Sequence, residues 1–109
     1  MYNKFVILSK SPTKTDKDAY IRCALCDYHF ELVGKEEKCF GGGMFIEKQE
    51  KSELILYGKS IDYGEPQFYG WKSLTMLDKK YEGWKIIYVK SIEDFGHAIH
   101  ADLTNKIIF

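Results

Sequence analysis

Three consecutive glycines, Gly41-Gly42-Gly43, precede two short apolar runs, Met44 to Lys48 and Glu53 to Tyr57. No other feature restricts the backbone of this chain as much. Glycine is selected where a chain needs a positive φ or must come close to another group, and a triplet ahead of a hairpin reads first as a turn. The two runs are separated by the polar stretch Gln49-Glu50-Lys51-Ser52, the pattern of a hairpin with a four-residue turn. Gly58 and Gly64 then bracket a second turn, Lys59 to Tyr63, which Pro66 closes.

The rest of the chain is strand-rich. Lys4 to Leu8 is a β-branched and aromatic run that reads as a strand buried on both faces. The polar stretch Ser9 to Asp18, with Pro12, reads as a loop, and Ala19 to Tyr28 as a second strand ending at or near His29. Phe30 to Lys38 has room for no more than about two helical turns, and it contains Gly34. Trp71, Leu74, Leu77 and Tyr81 recur at helical spacing, with Lys79 and Lys80 suited to a last turn and Gly83 to a C-cap, so this stretch predicts a helix. Trp84 to Lys90 returns as a strand, followed by two shorter ones within Phe95 to Leu103 and Lys106 to Phe109. The expected fold is α+β: a single mixed sheet of about five to seven strands packed by one or two helices.

With 109 residues the chain is expected to form one domain over residues 1–109. Sixteen basic and sixteen acidic side chains leave no net field to hold a nucleic acid. No stretch approaches the roughly 20 apolar residues of a membrane helix, and the N-terminus lacks the pattern of a signal peptide. A cytoplasmic protein is expected. Cys23, Cys26 and Cys39 are an odd number without framework spacing, which favours reduced, buried thiols. Cys23 and Cys26 form a C-x-x-C pattern that Cys39, His97 and His100 would have to complete for zinc, but a spacing of three in a strand puts the two thiols on opposite faces.

Cys39-Phe40-Gly41-Gly42-Gly43, a hairpin, and then Tyr57-Gly58-Lys59-Ser60-Ile61-Asp62-Tyr63-Gly64 together resemble the phosphohistidine phosphatase family, also called the Janus/Ocnus family. Its pattern is Cys-x-Gly-Gly-Gly followed by Tyr-Gly-x-Ser-x-x-Tyr-Gly. Upstream, Asp27-Tyr28-His29 is similar to the family's acidic-Tyr-His triplet at a strand end, and Lys4 stands where the family places a phosphate-reaching lysine. The final 20 residues, 90–109, extend past the resemblance. They have room to add a strand pair at a sheet edge, to cover an open face, or to form a homo-oligomeric edge.

The resemblance implies a metal-independent phosphatase, without cofactor, that hydrolyses phosphohistidine or a related phosphoramidate in a protein or a small molecule. His29 would be the general base, since its unperturbed pKa lies close to working pH. Lys4, the Ser60 hydroxyl and the backbone N–H groups of Phe30 and Asp62 would hold the phosphate in a glycine-lined turn. The protein would be a monomer or weak homo-oligomer. Three differences from the family stand out. The stretch from His29 to Gly41 is shorter, and Met44 follows the triple glycine where members often carry a basic residue. The family's arginine before the histidine has its nearest counterpart in Arg22, at a spacing that differs by one and points to the other strand face, so Arg22 receives no role. A non-catalytic module that keeps the fold and a phosphate pocket is the alternative reading.

Overall fold

The computed structural model describes residues 2–9, 18–68 and 70–89, together with the backbone of residues 100–102 and 107–108. The strands are β1 (Tyr2–Ser9), β2 (Asp18–Cys26), β3 (Lys38–Lys48), β4 (Glu53–Tyr57), β5 (Ser73–Met76), β6 (Lys85–Val89), β7 (His100–Asp102) and β8 (Ile107–Ile108). They form one mixed sheet in the order β7-β6-β4-β3-β1-β2-β5-β8. The β2–β5, β4–β6 and β5–β8 pairs are parallel and the others antiparallel.

Connectivity forces this sheet to bend. β7 and β8 lie at its two edges, yet only the five steps from Asp102 to Ile107 separate them in sequence. Five steps of extended chain span at most about 18 Å. Eight strands laid flat at a spacing of about 4.8 Å would put the edges about 34 Å apart. The sheet curls into a half-barrel.

Curling gives the two faces different partners. Thirteen buried residues, drawn from β1 to β6 with Phe68 and Tyr81, form the larger core on the inner face. β1 contributes Phe5 and Ile7 to it, while Val6 and Leu8 point the other way and pack with Cys26 and Leu32 in a smaller cluster. β1 is thus buried on both faces, as its continuous apolar run predicts. Cys23 packs against the larger core and Cys26 lies in the smaller, so the two thiols fall on opposite faces.

The expected layer of helices is absent. Among the described residues the helical segments are 3₁₀ turns at His29–Leu32, Gln49–Lys51 and Lys79–Tyr81, and none reaches seven residues. The fold is therefore not α+β, because a curled sheet covers its own inner face and the outer face needs only one short segment. The helix expected between Trp71 and Tyr81 is instead strand β5, followed by a 3₁₀ turn whose first N–H groups are capped by Asp78 through its bond to the Lys80 N–H. Ser73 to Met76 alternates between half-buried and buried, and Leu77 is 48% exposed, which breaks the apparent helical stripe. Parallel pairing with β2 decided the matter over local spacing.

The hairpin is present as β3 and β4, but β3 begins earlier than expected and contains the triple glycine in its interior. The expected strands within 95–103 and 106–109 appear at their described residues as β7 and β8. They occupy opposite edges rather than one.

Candidate functional site

Register places the site. In β1, Lys4 lies opposite Met44 of β3 and Ala24 of β2, and Val6 lies opposite Gly42 and Arg22. Side chains directly opposite share a face, so Lys4, Met44 and Arg22 stand on the outer face with Val6. This corrects the expectation for Arg22. Met44 in turn pairs with Tyr57, after which the chain enters the Gly58–Gly64 turn. A row running through Lys4, Met44 and Tyr57 therefore ends at that turn.

The triple glycine is not a turn but the floor beneath His29. Val6 pairs with Gly42 and Leu8 with Cys39, so β3 carries one extra residue there, a bulge that Gly41 accommodates at φ +95°. A Cβ on Gly42 would collide with the Phe5 carbonyl and stand 3.1 Å from Cδ2 of His29. Only glycine lets the imidazole settle this close to the strand. His29 is 5% exposed, and its Nε2 lies 2.8 Å from the carbonyl oxygen of Gly43.

That bond fixes the tautomer. A carbonyl only accepts, so Nε2 donates, and the lone pair of the neutral ring falls to Nδ1. Every buried side-chain nitrogen or oxygen among the described residues has a partner, and Nδ1 has none among the described residues. Nδ1 is therefore the ring nitrogen open to solvent. Burial lowers the His29 pKa from its ordinary 6.5; the Gly43 carbonyl opposes this, the Lys4 cation adds to it, and Asp62 opposes it. The ring is neutral at neutral pH.

The backbone around His29 is clamped from both sides. The carboxylate of Glu31 accepts the N–H groups of Asp27 (2.9 Å) and Tyr28 (2.7 Å). Past the 3₁₀ turn, Arg22 donates to the Leu32 carbonyl (2.6 Å) and through two nitrogens to Glu37 (2.6 and 3.0 Å). Glu37 also accepts from the Gly34 N–H (2.7 Å) and the Tyr20 hydroxyl. Burial pushes the Glu37 carboxyl up, but the Arg22, Tyr20 and Gly34 bonds outweigh it and hold the pKa at about 2. The short segment after the histidine is thus fixed by a charged clamp to β2 instead of by a helix.

His29, Lys4 and Asp62 line one pocket of about 250 Å³, together with Tyr28, Met44, Lys59 and Ile61. Three of the five residues expected at the site are therefore brought together. Phe30 and Ser60 are not among the lining residues. The Phe30 ring is exposed and stacks on Tyr28 (5.4 Å, 12°), and its N–H is one of the donors that a helix start leaves unpaired. Ser60 is 1% exposed; its Oγ accepts from the Tyr63 N–H (3.1 Å), and its N–H and C=O bond to Gly64. It holds the turn in shape from behind. The turn that faces the pocket is Gly58–Gly64, not Gly41–Gly43.

Sequence reasoning missed Tyr28, Met44, Lys59 and Ile61 as lining residues. Met44 was legible in principle, since antiparallel pairing of the first strand with the glycine-containing one sets it opposite Lys4. Lys59 and Ile61 lay inside the motif already singled out. Lys4 itself stands over the rings of Tyr2 (5.7 Å) and Tyr28 (6.0 Å), where the aromatic faces orient its ammonium.

Among the described residues the three cysteines are free, and no group of three or more His, Cys, Asp or Glu side chains is placed to hold a metal. His97 and the His100 side chain lie outside the described residues. Among the described residues no helix is long and apolar enough to cross a membrane. No curated protein matches this chain. The Janus/Ocnus family profile matches residues 2–85, which include the clamped histidine, the glycine-floored strand and the Gly58–Gly64 turn. The chain belongs to the Janus/Ocnus family.

Proposed function

We propose that the protein hydrolyses phosphohistidine or a related phosphoramidate, with His29 as general base. The observation that carries this reading is the tautomer of His29, which leaves Nδ1 unprotonated in a residue that lines one pocket with Lys4 and Asp62. Water attacks phosphorus as the P–N bond breaks, and Nδ1 takes the proton that the water loses. The leaving nitrogen takes that proton from the His29 imidazolium, or one from solvent in exchange, which returns the ring to its neutral form, and inorganic phosphate departs. Lys4 and the Asp62 N–H, which has no partner among the described residues, are donors for the phosphoryl oxygens. Such donors matter most where charge develops. Ser60 contributes by shaping the turn.

The test is phosphate release from a phosphohistidine peptide by purified protein in the presence of a chelator. Turnover is expected, with a loss of about 10²–10⁴-fold in His29→Ala, the usual span of general-base assistance. A wild-type protein inert across several P–N substrates would sink the enzymatic reading. A binding module without turnover is the second reading, favoured by Met44, which gives the pocket an apolar wall beside its cations. It predicts phosphate binding that survives His29→Ala.

A further inference from the structure

We infer that Lys59 is a second anion-binding cation of the His29 pocket, and that it, rather than Lys4 alone, makes the pocket selective for a doubly charged phosphoryl group. This rests on the phosphoryl reading above for the identity of the anion. With His29 neutral, the charged side chains lining the pocket are Lys4, Lys59 and Asp62. They sum to one positive charge with Lys59 and to zero without it. A phosphoryl group carries about −1.5 to −2 near neutrality, so a pocket without Lys59 would offer it no net attraction.

The turn fixes where Lys59 stands. The next residue, Ser60, is 1% exposed and is bonded through its N–H, its C=O and its Oγ. On the other side, Gly58 continues from Tyr57, which is paired with Met44. Lys59 has no carboxylate within ion-pair distance among the described residues, so its charge is not already neutralised by contact. Lys4 comes from β1 and Lys59 from the turn, and Met44, opposite Lys4, lies against Gly58. Met44 gives the pocket an apolar wall beside both lysines, and a lower local dielectric strengthens the action of a cation on an anion held there.

Titration of the full chain with inorganic phosphate at neutral pH tests this, comparing wild type with Lys59→Gln, Lys59→Arg and Lys51→Gln. Lys51 is an exposed lysine in the 3₁₀ turn at the far end of the hairpin, so its substitution makes the same change in net charge elsewhere. Lys59→Gln is expected to weaken phosphate binding about fivefold, the scale of one exposed charge contact, and to flatten its salt dependence. Lys59→Arg should restore both, and Lys51→Gln should change neither. Equal affinity in wild type and Lys59→Gln, an equal loss in Lys51→Gln, or no phosphate binding by wild type would each overturn the assignment. Lys59-dependent binding in a protein that does not hydrolyse phosphohistidine would remove the enzymatic reading and leave this one standing. Turnover with Lys59-independent phosphate binding would do the reverse.

Discussion

At the scale of single residues, the site depends on how a histidine is held. His29 is buried against Gly42, and its tautomer is set by one carbonyl. Gly42→Ala is expected to destabilise the protein by about 1–3 kcal/mol, the usual cost of forcing extra volume into a packed site, and to displace the ring; urea unfolding and the His29 NMR signals would check both. The pH dependence follows from the charges around the ring. The His29 pKa is lowered, so the acid limb of kcat/KM should fall below pH 6.5, where the free base is lost. Lys4 pushes that pKa down and Asp62 pushes it up. Lys4→Gln should therefore move the acid limb to higher pH and Asp62→Asn to lower pH, and shifts in the same direction would contradict the geometry. That His29, Lys4 and Asp62 line one pocket was legible because each sits in or beside a recognisable motif. Ser60 is buried and bonded within the turn, and a turn motif does not say which of its side chains face inward.

At the scale of elements, the segment after His29 is held by an ion pair and hydrogen bonds rather than by helical packing. Sequence spacing gave Arg22 no role, since its position relative to the histidine depends on where β2 ends. β2 stops at Cys26, and the chain turns before His29, so the count along a strand does not apply. Removing Arg22 would leave the Glu37 carboxylate half-satisfied. Arg22→Ala is expected to cost about 1–2 kcal/mol, reduced by the partial exposure of the guanidinium. The Glu37 pKa lies below its ordinary 4.5, so its contribution is complete above that value and is lost as pH falls through about 2. Glu37→Gln should lower stability at neutral pH and flatten its fall across that acidic window, as read from urea midpoints. The helix expected at Trp71–Tyr81 failed for a related reason: apolar spacing in a short segment fits either period, and the neighbouring strand decides.

At the scale of the whole molecule, most of the strands were legible from the short apolar runs and their turns, but the α+β class expected from them was wrong and the curl was not foreseen. A curled sheet lets β7 and β8, which lie beyond the residues matched by the family, reach opposite edges across a short connection. Truncation after Val89 removes both and bares β5 and β6. Such edges tend to pair with other chains, so the truncated protein is expected to self-associate on size exclusion with light scattering. A monomer with unchanged melting temperature would show that β7 and β8 contribute nothing. The proposed function requires one arrangement, a neutral His29 with its free Nδ1 beside the phosphate proposed to bind in the pocket it lines. The most direct measurement is a ¹⁵N NMR titration of the His29 ring with pH and with inorganic phosphate. It should show the Nε2-protonated tautomer, a pKa below 6.5, and an Nδ1 resonance that moves when phosphate binds. An Nδ1-protonated ring, or an Nδ1 signal indifferent to phosphate, would contradict it.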